Sequence, residues 1–134
     1  MKRYAYLDAS AIVKLVAAEP ETPALERNLV SRAGLLSSRL GGVEVRRAVQ
    51  RSGHRRLLQK VDDVFACLVF VEVTVSILNR AAALTPPDLR TLDAIHLATA
   101  TGLDVANLDF ISYDARLADA ARAHGLSVCQ PGAR

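Results

Sequence analysis

A three-layer α/β/α sandwich around a mostly parallel sheet is the fold class this chain predicts, on three observations. Short apolar, β-prone segments alternate with helix-patterned ones, acids stand directly after two of the strand-like segments, and no linker, repeat or low-complexity tract interrupts the alternation. With 134 residues, the chain has the size of one domain spanning 1–134, large enough to bury about two-thirds of the surface its unfolded form exposes.

Tyr-Ala-Tyr-Leu at residues 4–7 reads as a short buried strand ending at Asp8, and residues 10–18 follow with helical character. The stretch 19–23, Glu-Pro-Glu-Thr-Pro, breaks the pattern and offers Thr22 as an N-cap with Pro23 at the first helical position of a helix through Val30. Residues 34–38 form a second strand, 40–51 an arginine-rich helix closed by Gly53, and 54–63 a further helix. The segment 66–74 is dense in β-branched residues and reads as a strand; a helix over 75–84 then stops at Pro86 and Pro87. Asp88 is placed to cap a helix over 89–101 that closes on Gly102. A strand at 107–112, a helix at 115–124 ending at Gly125 and a strand at 126–129 complete the order.

Apolar residues make up 51% of the chain and charged residues 23%, which excludes a disordered protein. No apolar run reaches the roughly 18 residues a membrane span needs, and Asp8 interrupts the start before a signal-peptide core can form, so a cytoplasmic protein with no membrane partner is expected. Cys67 and Cys129 lie far apart in apolar surroundings without zinc spacing and read as buried free thiols. The net charge of +3, with arginines concentrated between Arg46 and Arg56, is mild evidence for a polyanionic partner.

The informative feature is where certain acids fall. Asp8 and Asp114 each follow a strand, at the rim where open parallel α/β sheets bind ligands, although each is equally placed to cap the helix behind it. Asp93 falls on a helical stripe with Leu89, Leu92, His96, Leu97 and Ala100; a carboxylate on an apolar face needs a partner or a raised pKa. Glu44, close to Arg46 and Arg47, reads by pattern alone as a surface acid paired along its helix. Should such acids converge, their repulsion calls for a cation, and an oxygen-only set selects Mg²⁺ or Mn²⁺. The serines lack a matched His and acid, and no Gly-rich phosphate loop is present.

The segments Tyr6-Leu-Asp8-Ala-Ser10-Ala-Ile-Val-Lys-Leu, Arg90-Thr-Leu-Asp93-Ala-Ile-His-Leu-Ala-Thr-Ala, Ser112-Tyr-Asp114-Ala-Arg-Leu-Ala and Gly125-Leu-Ser-Val ahead of Pro131-Gly together resemble the PIN-domain nucleases, and among them the VapC-type ribonuclease toxins. The match runs from residue 4 to residue 132, in the family's order and spacing. The resemblance implies a PIN-like fold and a Mg²⁺- or Mn²⁺-dependent endoribonuclease whose acids are Asp8, Glu44, Asp93 and Asp114, with Asp8 and Asp93 as direct metal ligands. It implies Glu44 and Asp114 as ligands through water or as groups orienting the attacking water, Ser10 and Ser112 as supporting hydroxyls, and lifts Glu44 above its surface reading. Ser112 departs mildly from a place where Thr is commoner but keeps the hydroxyl. An RNA substrate, a VapB-type antitoxin and a homodimer are the implied partners.

Asp104 and Asp109 are read as solvent-facing or structural, with Asp109 an alternative fourth ligand should the register differ. His96 is either a donor that orients Asp93 or a satisfied core histidine. Arg46, Arg47, Arg51, Arg55, Arg80, Arg90 and Arg116 are candidate contacts to a nucleic-acid backbone. The rival readings are a non-catalytic PIN-like RNA- or protein-binding module and a phosphate-accepting signalling domain; against the latter, no Lys follows Lys60.

Overall fold

A computed structural model describes residues 2–133. Its elements run β1 (Tyr4–Leu7), α1 (Ala9–Val16), α2 (Thr22–Leu29), β2 (Gly34–Ser38), α3 (Arg39–Ser52), α4 (Leu57–Phe65), β3 (Val69–Val71), α5 (Val75–Ala82), α6 (Thr91–Thr101), β4 (Leu108–Ile111), α7 (Ala115–Ala123) and β5 (Ser127–Cys129). The five strands form one sheet in the order β3-β2-β1-β4-β5, with every pairing parallel. The chain builds outward from β1 to one side, then crosses to build on the other, so the strand order reverses between β1 and β4. That reversal is the crevice where open α/β sheets place ligands.

Ala5, Tyr6 and Leu7 are fully buried because β1 is covered on both faces. Ala5 and Leu7 join α1, α2, α4 and the Val45 and Val49 side of α3, while Tyr6 turns to the opposite layer with Phe110, Leu97 and Leu117. A third cluster packs Ile77 and Ala81 of α5 on Ala94, Ile95 and Ala98 of α6. Helix α3 touches α1 and α4 on one side and α6 on the other. Its start follows β2, so it tethers both helical layers at the carboxyl rim. Among the described residues no helix is long and apolar enough to cross a membrane.

Several local expectations are corrected. Glu21, not Thr22, occupies the N-cap of α2; the Thr22 hydroxyl instead accepts from Glu19 N–H and donates to the Lys14 carbonyl, tying α1 to α2. Arg90 rather than Asp88 precedes α6, because residues 86–89 form a turn in which Leu89 N–H donates to the Pro86 carbonyl. The strand at 66–74 shrinks to Val69–Val71, the stretch that pairs with Leu36–Ser38; Ala66 and Cys67 close the end of α4 instead. Leu57 opens α4, leaving 54–56 in a turn. Cys67 is exposed and Cys129 partly so, contrary to the buried reading, because Cys67 falls in the turn that closes α4 and Cys129 on an edge strand. Gly53 ends α3 as expected, at φ 73°.

Candidate active site

The sheet positions the site through its carboxyl ends. Asp8 leaves β1 as the N-cap of α1, accepting from Ala11 N–H at 3.0 Å; Asp114 follows β4 as the N-cap of α7, accepting from Leu117 N–H at 3.1 Å. Both capping readings are therefore realised, and both acids also stand at the crevice beside the strand reversal. Asp93 lies in the first turn of α6 and Glu44 in the second turn of α3. Four helices thus bring N-terminal turns, with their outward-facing N–H dipoles, to the same rim, which eases the crowding of negative charge.

Asp8 is buried and its carboxylate is held from both sides. Ser10 Oγ donates to Oδ1 at 2.6 Å and Ser112 Oγ donates to Oδ2 at 2.6 Å. Each hydroxyl is itself fixed by the next segment: Tyr113 N–H donates to Ser10 Oγ at 2.9 Å and Asp114 N–H to Ser112 Oγ at 3.1 Å. Two consecutive backbone amides after β4 thereby lock the acid after β1. A carboxylate offers about four acceptor positions, so the three bonds to Asp8 leave one open. Burial raises the Asp8 carboxyl above its ordinary value, against the two hydroxyls, His96 and the Ala11 amide, which lower it.

Asp93 is the electrostatic meeting point. Its carboxyl is raised first by burial and next by Asp114; Asp8 and Glu44 raise it further, while His96 opposes them. Its surroundings differ from the expected stripe: α6 is buried all round from Ala94 to Ala100, and Leu92 is exposed. No apolar stripe exists there because, past the first turn in which Asp93 sits, the helix is buried on every side.

His96 is the satisfied buried histidine of the second reading and not a donor to Asp93. It is buried, and its Nε2 lies 2.7 Å from Glu44 Oε1 and its Nδ1 lies 2.7 Å from the Tyr6 hydroxyl, so it serves Glu44 and not Asp93. Glu44 is partly buried and paired with this imidazole, not with Arg46 or Arg47. Gly41, one turn earlier, permits the approach: a Cβ there would stand 2.9 Å from Ser37 Oγ and 3.1 Å from His96 Cε1.

Asp104 is exposed. Asp109 is not solvent-facing; it is a structural acid, bracketed by Arg3 at 2.7 Å and by Arg32, and those partners hold its carboxyl down at about 2 despite burial. It is the second residue of β4, opposite Ala5 and away from the carboxyl ends of the strands where the other acids gather.

Sequence reading missed Tyr6, Tyr113 and Gln130. Tyr113 donates to the Pro131 carbonyl at 2.7 Å and the Gln130 amide donates to the Ser112 carbonyl at 2.9 Å, so the end of the chain straps down the segment that carries Ser112 and Asp114. Only Tyr6 had a legible cue: a phenol in a fully buried strand needs a partner.

Oxygen-rich and acidic, the donor set has the chemistry of a hard divalent cation site. Among the described residues no three His, Cys, Asp or Glu side chains close into a ready-made shell. Mg²⁺ is commonly held by one or two carboxylates with retained waters rather than by an all-protein cage, so the residues fit such an ion bound in that open way.

Comparison with known proteins shows the family and the fold. The PIN domain family matches residues 5–123. The chain is 43% identical over 132 residues to Ribonuclease VapC46 of Mycobacterium tuberculosis (strain ATCC 25618 / H37Rv), covering 94% of this chain and 96% of that one. It is 44% identical over 131 residues to Ribonuclease VapC35 of the same strain, covering 95% and 96%. Among solved structures, a chain of VapBC2 from Rickettsia felis, bound to a DNA fragment from their promoter, superposes with a TM-score of 0.74 at 13% identity, covering 94% of this chain and 97% of that chain. Mycobacterium tuberculosis VapC20, described as a sarcin-ricin loop cleaving toxin, superposes at 0.70 with 16% identity, covering 95% and 99%. These two likenesses establish the three-layer fold; the closer sequence matches establish the family.

Proposed function

The chain belongs to the PIN-domain family and, within it, to the VapC-type ribonucleases, and from that premise we propose that Asp8, Glu44, Asp93 and Asp114 form the catalytic centre of a Mg²⁺- or Mn²⁺-dependent endoribonuclease. The observation that supports this reading is that Asp8 and Asp114 follow β1 and β4 at the strand reversal, where the Ser112 hydroxyl joins the Asp8 carboxylate to the Asp114 amide. Among the described residues no Lys or Arg is ion-paired to any of the four acids, whereas Asp109 is ion-paired to two arginines. Repulsion left uncompensated by the chain favours a bound cation.

Asp8 and Asp93 are the proposed direct ligands, with Glu44 and Asp114 acting through water or orienting the attacking one. When bound, such an ion lowers the pKa of water and offsets the charge that develops on a phosphodiester. Ser10 and Ser112 keep Asp8 in one rotamer, so its open acceptor position is presented without reorganisation. The cationic side chains sort by their occupations. Arg46 is spent on Asp62 and on the ring of Phe65, Arg80 covers Gly102 at the far end of α6, and Arg51 and Arg55 lie at or beyond the far end of α3. Arg47, Arg90 and Arg116 are exposed and stand within three residues of Glu44, Asp93 and Asp114, which suits them to receive the RNA backbone.

The chain is the toxin of a toxin–antitoxin pair; the VapBC complex among its structural neighbours supports a VapB-type antitoxin as its partner. We further propose a homodimer acting in the cytoplasm as one nuclease domain per chain. Purified protein incubated with total cellular RNA, with Mg²⁺ or with EDTA, tests the activity by mapping of new ends. Ends that appear with Mg²⁺ alone support it; ends that persist in EDTA contradict the metal, and no ends in either support the binding-module reading.

A further inference from the structure

The rings and hydroxyls behind Glu44 form a line with a direction. Glu44 is a carboxylate and only accepts, so the contact of 2.7 Å requires the proton to reside on Nε2 of His96. In a neutral imidazole the other nitrogen is then an acceptor, and the Tyr6 hydroxyl faces it at 2.7 Å. The Tyr6 phenol carries an O–H that can be given to that nitrogen. Tyr6 and His96 are fully buried, their rings meet edge to face at 5.9 Å, and they come from β1 and α6 while Glu44 comes from α3. Three elements are thus joined by one chain of donors ending at the site.

Resting on the proposed nuclease reading, we propose that His96 is a positioning residue for Glu44: Tyr6 fixes the orientation of the imidazole, and the Nε2 proton that Glu44 requires holds Oε1, leaving Oε2 to serve the attacking water or one held by a bound ion. The imidazole touches neither substrate nor reacting atoms. It restricts a side chain that would otherwise sample several rotamers, and outer partners of this kind ordinarily change activity or metal affinity about 10- to 100-fold when removed.

Two substitutions separate the two ends of the ring. His96→Gln retains an amide N–H near the Nε2 position, in reach of Glu44; His96→Asn retains a group near Nδ1, in reach of Tyr6 only. With Mg²⁺ and a defined RNA, His96→Asn is expected to lose kcat at least tenfold with KM changed less than threefold, and His96→Gln to recover most of that loss. In a double-mutant cycle, His96→Asn added to Glu44→Gln is expected to cost no further activity, since both act through one carboxylate. Equal losses in the two His96 variants, or additive losses in the cycle, overturn the proposal in favour of a merely structural histidine. A readout independent of turnover accompanies these: long-range ¹H–¹⁵N correlation spectra of the metal-free protein. They are expected to show the His96 proton on Nε2 in the native chain and in Tyr6→Phe, where Glu44 still requires it, and a mixture of tautomers in Glu44→Ala; a ring protonated on Nδ1 in the native chain contradicts the proposal. Full activity in Glu44→Gln alone, with the Nε2 proton observed, instead removes Glu44 from the nuclease reading and leaves the donor line in place.

Discussion

Asp8 and Asp109 are both acids in the buried middle of the same sheet, on or just after neighbouring strands, yet they live in opposite electrostatic worlds. Asp109 is bracketed by Arg3 and Arg32 and its carboxyl is held down at about 2. Asp8 has hydroxyls and an amide as its nearest partners, its carboxyl is raised by burial, and it adds to the raising of Asp93. A buried acid with its cation built into the chain is part of the scaffold. One whose neighbours are other acids and neutral donors has its counter-charge supplied from outside, and that difference separates structure from site.

The comparison breaks most visibly in activity. Asp8→Asn or Asp93→Asn is expected to reduce RNA cleavage by about 100-fold or more while RNA still binds, whereas Asp109→Asn keeps its turnover per folded molecule. Cleavage assays beside a filter-binding titration decide this, and unchanged turnover in both site variants removes the metal reading. Stability is expected to respond in the reverse order. Asp109→Asn leaves Arg32 buried without its partner and costs about 3 kcal/mol by urea denaturation. Asp93→Asn instead raises the melting temperature of metal-free protein near neutral pH, because it deletes one of the repelling charges.

Saturating Mn²⁺ sharpens the contrast. At a hundredfold above its dissociation constant an ion bound only by the folded form contributes about 2.7 kcal/mol, so the native melting temperature rises by several degrees and that of Asp93→Asn stays flat. A flat curve for the native chain counts against a shared site.

Acid separates the two regions by sign. A depressed carboxyl such as Asp109 contributes stability that is complete above its unfolded value and is lost as pH falls through about 2, a loss of about 2 kcal/mol. A raised carboxyl such as Asp8 or Asp93 is protonated more readily in the folded form, so acidification through its raised range adds stability. Between pH 4 and pH 2 the native chain should therefore lose about 2 kcal/mol more than Asp109→Asn does. Parallel curves contradict the ion-paired assignment. The smallest expected effect is at the rim: Arg90→Ala or Arg116→Ala reduces the slope of log affinity against log salt by roughly 0.7 each and leaves kcat nearly unchanged. Arg80→Ala, at the far end of α6, leaves the slope alone.

How far these regions were legible in sequence follows from how local their causes are. Asp8 and Asp114 declared themselves because a strand followed by an acid and then a helix is a contiguous pattern. The alternation of strands and helices carried the layered fold for the same reason. Asp93 was found by an argument only half right: it is an acid in an apolar helix, but that helix is buried round its circumference and Leu92 points out, so no stripe exists. Glu44 was invisible to periodicity, because its partner His96 is 52 residues away and the arginines beside it were the nearer candidates. The resemblance raised it without that partner. Asp109 stays open between a solvent-facing and a structural reading for a like reason, its arginines lying 106 and 77 residues distant. The strand at 66–74 was overdrawn because β-branched density reports a preference, while the length of a ladder is set by the neighbour that pairs with it.

The central claim is that the acids at the strand ends hold a divalent ion between them. A crystal soaked in Mn²⁺ and measured at the manganese absorption edge tests it most directly. The account predicts an anomalous peak about 2.1 Å from carboxylate oxygens of both Asp8 and Asp93, absent from the Asp93→Asn crystal. A soaked native crystal with no peak near either carboxylate would contradict it.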